Sequence, residues 1–260
     1  MERKSRESHV SQSPARAERL AALRVAVRAL ESAGAGEGRD CLPFGIDAID
    51  SRLAGGGLAV AALHEAAGER PGAGDESAAT LFLASIAARR PGTILWALRR
   101  RDLFAPGLAG AGLAPDRVLY AECGRDEDVL AVMEEGLRHG GLAAVVGEVG
   151  RAAMPAARRL QLAAEEGGTP ALMLRRWRGG EDPLAPPSAA VTRWRLACIP
   201  SSPLPVPGIG RPRWRLALAR QRGGAPFDLI VETPDAEARL ALPALFEHRP
   251  GAEPRERRAA

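Results

Sequence analysis

Residues 61–81 run Ala61-Ala-Leu-His-Glu-Ala-Ala-Gly68, then Glu69-Arg-Pro-Gly-Ala-Gly74, then Asp75-Glu-Ser-Ala-Ala-Thr-Leu81. The apolar run Ala59–Ala66 predicts a strand and Gly68–Gly74 a loop. Asp75 or Ser77 could cap a helix running to about Arg90. Strand, glycine-rich loop and helix together form the layout of a phosphate-binding loop. A working loop needs G-x-x-x-x-G-K-[ST]. Its glycines let backbone N–H groups close on the phosphates, its lysine neutralises them, and its hydroxyl binds magnesium. Here Gly68, Gly72, Gly74 and Ser77 are present and the lysine is missing. The chain's only lysine is Lys4, so 35 of its 36 basic residues are arginine. Asp75 and Glu76 fall at the helix N-terminus, where free amides and the helix dipole favour an anion, so the chain's own carboxylates take that place. Arg70 is the nearby cation that could compensate. The stretch reads as a degenerate nucleotide loop, with ordinary loop turns as the alternative account of its glycines.

Downstream, strands and helices alternate. Thr93–Leu98 reads as a strand. Asp126 could cap a helix over Glu127–His139, with Val129, Val132, Met133 and Leu137 on one face. Leu142–Val149 is a continuous apolar run, as in a strand buried on both faces. Ala156–Glu166 reads as a helix and Ala171–Leu174 as another strand. This alternation indicates an α/β fold with a mainly parallel sheet and crossover helices. Upstream, Leu42–Asp50 suggests a lead-in and a helical turn, broken by Gly55-Gly-Gly57.

The pattern then changes. Arg193-Trp-Arg-Leu-Ala197 recurs as Arg213-Trp-Arg-Leu-Ala217. Both show period-two alternation, with Trp194, Leu196 and Cys198 on one side, as are Trp214, Leu216 and Leu218. Arg195 and Arg215 face the other way. An antiparallel pair follows, joined by the proline-rich stretch Pro200–Pro212, with Phe227–Glu232 as the last strand. Its wet face either contacts nucleic acid or protein, or is simply solvated.

The 260 residues, 46% apolar and 26% charged, divide into three parts. Residues 1–40 comprise a polar tail over 1–13, a helix over 15–31 and a linker over 32–39. Leu20, Leu23, Val27 and Leu30 form a narrow apolar stripe on that helix, a candidate self-association surface. Residues 41–248 form the core, and 249–260 a charged tail. No run of 18 uncharged apolar residues occurs, which excludes a membrane-spanning helix, and the charged N-terminus is not a secretory signal. Cys41, Cys123 and Cys198 have neither a disulfide framework nor zinc spacing, so a cytoplasmic location is expected. Between 151 and 227 stand 13 arginines against Glu165, Glu166, Glu181 and Asp182, a net of +9. Such a region points to a polyanion or an acidic partner, or to a solvated arginine-rich face.

The parts needed for catalysis are thin. Glu148 ends an apolar strand where a Walker B carboxylate sits, but lacks its lysine. His64 and Glu65 lie at a strand start, where a satisfied structural histidine is the ordinary reading. Cys123 has no neighbour that activates it. No nucleophile elbow or metal-spaced set occurs. The expectation is a protein that is not an enzyme, with no catalytic residue, no metal and no cofactor.

The order of segments carries a resemblance. Leu42-Pro-Phe-Gly-Ile-Asp-Ala-Ile-Asp50, Gly55-Gly-Gly-Leu58 and Leu63-His-Glu65 resemble the start of a RecA-type core. Phe104-Ala-Pro-Gly-Leu108, Gly112-Leu113, Met133-Glu-Glu135, Val146-Gly-Glu148, Arg158-Arg-Leu-Gln-Leu-Ala-Ala164, Thr192-Arg-Trp-Arg195 and Pro212-Arg-Trp-Arg215 are similar to the ImuA family, over residues 41–232. These are bacterial RecA-like proteins of the DNA-damage mutagenesis cassette, sometimes described as SulA-like. The resemblance implies a RecA-like fold and an accessory role in SOS-induced translesion synthesis. Its implied partners are ImuB, a Y-family-like polymerase relative, and an error-prone C-family polymerase, with RecA or a second copy of the chain as further candidates. The nucleotide motif does not carry over. The RecA-type glutamate after the second core strand is also absent, since Thr93–Leu98 leads into Arg99-Arg-Arg101.

The leading expectation is therefore a non-catalytic adaptor. The alternatives are a protein that binds single-stranded DNA and an ATPase with an eroded loop. For DNA or partner contact the candidates are Arg175, Arg176, Trp177, Arg178, Arg193, Arg195, Arg213 and Arg215, with Trp177 expected to be the most exposed tryptophan. Changing Leu23 and Val27 to Asp is expected to weaken self-association and partner association, read by light scattering. Unchanged association would exclude the stripe as a contact surface.

Overall fold

The computed structural model describes residues 40–201, 204 and 208–244. The expected helix over 15–31 with Leu20, Leu23, Val27 and Leu30, the linker 32–39, the tail 249–260 and part of the Pro200–Pro212 connection lie outside the described residues.

The strands are β1 (Cys41–Leu42), β2 (Leu58–Ala59), β3 (Leu63–Gly68), β4 (Ile94–Leu98), β5 (Val118–Glu122), β6 (Ala144–Val149), β7 (Ala171–Arg175), β8 (Thr192–Ile199), β9 (Arg213–Gln221) and β10 (Phe227–Glu232). The α-helices are α1 (Asp47–Asp50), α2 (Ala73–Ala88), α3 (Ala105–Gly110), α4 (Asp126–His139) and α5 (Met154–Gly167). Strands β3–β10 form one sheet in the order β10-β9-β8-β3-β7-β6-β4-β5. The six strands from β8 to β5 run parallel, and β9 and β10 add antiparallel to β8.

Strands β3, β4, β6 and β7 are buried along their whole length. Their near-continuous apolar sequences follow from helices covering both faces. Trp96 and Leu98 of β4 join α2 and the Trp194–Leu196 side of β8 on one face. Leu95 and Ala97 join α4 and α5 on the other. The α2 helix is apolar nearly all round, from Ala78 to Ala87, because it lies under the sheet and is also covered by the Phe44–Leu53 segment. Phe82 and Trp194 meet at 5.4 Å between ring centroids, Phe44 and Phe82 at 6.0 Å, and Trp194 and Phe227 at 6.1 Å. This aromatic cluster ties the first and last described segments to α2.

Several boundaries differ from the expectation. The strand expected over 59–66 is split, because Val60–Ala62 turns away before β3 begins at Leu63. Helix α2 starts at Ala73, with Gly72 as its N-cap at φ 133°, a conformation open to glycine. Neither Asp75 nor Ser77 caps it. Asp126 is the first residue of α4 and does not cap it. Its carboxylate instead accepts from the amides of Gly150 and Arg151, beyond the next strand. Edge strand β5 and helix α3 were not anticipated. Leu119 and Tyr120 of β5 are both exposed, so that strand has no apolar alternation to read. Trp194, Leu196, Trp214, Leu216 and Leu218 are buried as alternation predicts, whereas Cys198 is exposed at the end of its strand.

His64 is a structural histidine. Trp194 Nε1–H donates to Thr192 Oγ1, whose hydroxyl lies 2.7 Å from His64 Nδ1, and His64 Nε2 lies 2.8 Å from the Ala59 carbonyl. A carbonyl only accepts, so Nε2 carries the proton and Nδ1 accepts from Thr192. Burial lowers the His64 pKa from 6.5 to about 4, with the Ala59 hydrogen bond opposing. The unfolded chain takes up this proton first, so the contribution is present above pH 6.5 and lost as pH falls towards 4. A His64→Asn variant is expected to lose about 3 kcal/mol of the acid-dependent change in stability between those pH values. Urea unfolding across that range measures it, and an unchanged slope would refute the assignment.

Candidate functional site

The carboxyl ends of β3, β4, β6 and β7 converge on one edge of the sheet, where open α/β sheets bind ligands. The cleft there encloses about 400 Å³ and is lined by Glu76, Arg99, Arg100, Asp102, Glu148, Arg176 and Trp177. At its centre is Glu148, at the end of β6. Trp96 Nε1–H of β4 donates to Glu148 Oε1 at 2.8 Å. Arg176, just past β7, donates through Nε and Nη2 to Oε2 at 3.0 and 2.8 Å. Its Nη1 reaches Glu76 of α2 at 3.3 Å, and Asp102 stands 4.0 Å from Nη2.

One arginine thus bridges the strand carboxylate and the first turn of the helix after the glycine loop. Burial raises the Glu148 carboxyl above the usual carboxylate range, with Arg176 and the Trp96 hydrogen bond opposing. Burial pulls the Arg176 guanidinium down, but Glu148, Asp102 and Glu76 outweigh it and leave it raised. Both carboxylate oxygens of Glu148 are occupied by protein donors.

The glycine loop is held by protein groups. Asp75 Oδ1 accepts from the Cys198 amide at 2.8 Å, and Oδ2 accepts from Arg70 Nε at 3.2 Å. The Glu69 amide donates to the Leu196 carbonyl, and Glu69 pairs with Arg215 of β9. A Cβ on Gly68 would fall 2.8 Å from the Asp75 backbone, so this glycine permits close packing of β3 on α2. Ser77 is exposed and lines an adjoining groove of about 430 Å³ with Leu81, Leu103 and Phe104. No lysine is present among the described residues, and three carboxylates already surround the cation. The residues therefore do not fit a magnesium–triphosphate group.

The arginines proposed for polyanion contact are separated by the fold. Arg175 and Arg193 are buried and both bind Glu65 of β3, at 3.0 and 2.7 Å. Arg195 pairs with Asp182, and Arg213 donates to the Pro200 carbonyl. Arg178 pairs with Asp126, to which Arg99 also turns. Trp177 is the most exposed of the four tryptophans, as expected, but it is half-buried and donates Nε1–H to the Gly68 carbonyl at 2.9 Å. Nine of the thirteen arginines between 151 and 222 pair with carboxylates, many of them from the acidic first half of the chain. Sequence reasoning missed the Glu65 cluster and the Trp96–Glu148 bond. The visible signal for both was a carboxylate inside an otherwise apolar strand.

No family model matches the chain. Protein ImuA of Caulobacter vibrioides (strain NA1000 / CB15N) is 37% identical over 205 residues, covering 75% of this chain and 84% of the relative. The chain belongs to the ImuA family. The protein of the same name from strain ATCC 19089 / CIP 103742 / CB 15 matches at the same identity and coverage. Among solved structures, the crystal structure of the RadB recombinase superposes with a TM-score of 0.52 at 16% identity, over 78% of this chain and 100% of that one. At that identity the likeness is one of fold, and the fold of this ImuA-family chain is RecA-like.

The bridge makes a testable contribution to stability. Arg176→Ala leaves Glu148 buried without its cation and is expected to cost about 3 kcal/mol, measured by urea unfolding. Adding Glu148→Gln removes the uncompensated charge and should restore most of the loss. A single variant as stable as the parent would show that the bridge contributes nothing.

Proposed function

We propose that the chain is a non-catalytic RecA-like accessory protein of DNA-damage-induced mutagenesis, acting in the cytoplasm during the SOS response. In this reading it holds the translesion polymerase partners of the cassette, an ImuB-type protein and an error-prone C-family polymerase, without using nucleotide. Family membership supports the setting. The observation that carries the non-catalytic part is the Glu148–Arg176–Glu76 bridge, which puts a protein cation and two protein carboxylates where a nucleotide-using loop would meet phosphate and magnesium. The RecA-like frame then serves as a rigid scaffold, since function resides in sites carried by a fold.

Gel filtration with light scattering, on the protein alone and mixed with the ImuB-type partner, tests this reading. Co-elution without nucleotide is expected, and ATP with magnesium should leave both co-elution and the melting temperature unchanged. Stabilisation by ATP would overturn the non-catalytic assignment. Failure to associate under either condition would overturn the adaptor role.

A further inference from the structure

The groove beside the cleft is an apolar surface that the described residues leave uncovered. It encloses about 430 Å³ between the first half of α2 and the segment 102–108, with Leu81, Leu103, Phe104 and Leu108 in its wall. Phe104 is 72% exposed, more than any other aromatic residue among the described residues. An exposed ring of that size beside a concave apolar wall marks a contact surface.

The charge at its rim is unbalanced. Glu76, Asp102 and Arg176 are the ionised side chains that line it. Arg176 is already bound to Glu148 at 2.8 Å and reaches Glu76 at 3.3 Å. Asp102, with its side chain 59% exposed, stands 4.0 Å from the same guanidinium and has no nearer cation among the described residues. The rim thus presents carboxylate charge next to an apolar wall. The occupant it suits is apolar, with cations along its border.

The chain carries such a segment. Leu20, Leu23, Val27 and Leu30 form the apolar stripe of the helix expected over 15–31, and at helical spacing Arg19 and Arg24 fall on its two borders. Its reach also fits. Just after the first described residue, Asp40, the Pro43 carbonyl accepts from Arg89 at the end of α2, and Phe44 stacks on Phe82. The groove lies towards the other end of that helix, whose 16 residues measure about 24 Å. Residues 31–40 extend to about 33 Å, enough to cover that distance.

We propose that the stripe seats in this groove on its own chain, with its apolar side chains against Leu81, Leu103 and Phe104 and its bordering arginines facing Asp102. Tethering holds the stripe at an effective concentration of about millimolar, so the own-chain seat prevails in dilute protein. Exchange of stripes between copies uses the same contact, which makes the self-association expected from the sequence a swapped form of this seat. The seat needs neither nucleotide nor a partner protein and stands whether or not the adaptor reading holds.

The test is amide hydrogen exchange of the full chain, at a concentration where light scattering shows a monomer. The stripe and residues 103–110 are expected to be protected together. Leu23→Asp combined with Val27→Asp should speed exchange in both segments at least about tenfold, while β3, β6 and β7 exchange as in the parent and report a folded core. Ser77 is exposed on α2 and lines the groove, and arginine suits a helix. Ser77→Arg therefore sets a cation beside Asp102 and against the bordering arginines, and should release the stripe severalfold. Arg24→Glu in that background should restore protection. Exchange of residues 103–110 that the stripe substitutions leave unchanged would overturn the proposal, as would a stripe that exchanges as fast in the parent as in the doubly substituted variant. Protection confined to concentrations at which the protein is a dimer would assign the groove to a second copy and overturn the own-chain seat.

Discussion

Glu65 lies in the middle of the sheet with none of its surface exposed, and its carboxylate is shared between Arg175 of β7 and Arg193 of β8. Ser188, from the segment between those strands, donates to the same oxygen as Arg175. A carboxylate in that position must be paired, since removing one partner of a buried ion pair typically costs about 3–5 kcal/mol. The constraint is also topological. Met173 and Arg193 are the register partners of Glu65 on either side, so the pairing places β7 and β8 on opposite edges of β3. From β8 onward the sheet continues antiparallel through β9 and β10. The junction between the two halves of the sheet therefore rests on one carboxylate and two guanidinium groups.

The neighbouring residue repeats the arrangement at the sheet edge. Arg175 is turned inward to Glu65, and Arg176 lies in the cleft against Glu148 and Glu76. A planar guanidinium suits this because it presents several N–H groups in fixed directions and keeps its charge when buried. A lysine would offer a single compact charge and could not span the strand carboxylate and the helix carboxylate with the same geometry. The near-complete replacement of lysine by arginine is thus consistent with how the interior of this protein is held together. It also explains why a strongly cationic second half does not yield a strongly cationic surface. Its arginines are largely matched by carboxylates across the fold.

A RecA-like frame normally offers its carboxyl edge to a ligand. Here the loop is tied down by Asp75 and Glu69, the strand carboxylate is saturated by Trp96 and Arg176, and Gly68 serves helix packing. The frame is kept, and its edge is occupied by ion pairs between the chain's own residues.

By itself, the sequence determined the alternation of strands and helices, the parallel core with its antiparallel extension, and the absence of a loop lysine. Those features are written in local periodicity and residue identity, which need no knowledge of distant partners. Trp194 and Trp214 were legible as core residues for that reason, and Glu148 as a carboxylate near the end of its strand, which runs one residue further to Val149. Only the tertiary structure decided what the charged residues do. Arg175 and Glu65 are 110 positions apart, and Arg176 and Glu76 are 100 apart. No local pattern distinguishes an arginine bound for a buried carboxylate from one bound for solvent or a ligand. Edge strand β5 escaped for a related reason, since its exposed Leu119 and Tyr120 leave no alternation to detect. Apolar side chains are sorted by burial, which periodicity reports. Charged side chains are sorted by their partners, and those are set when the folded chain brings distant strands together.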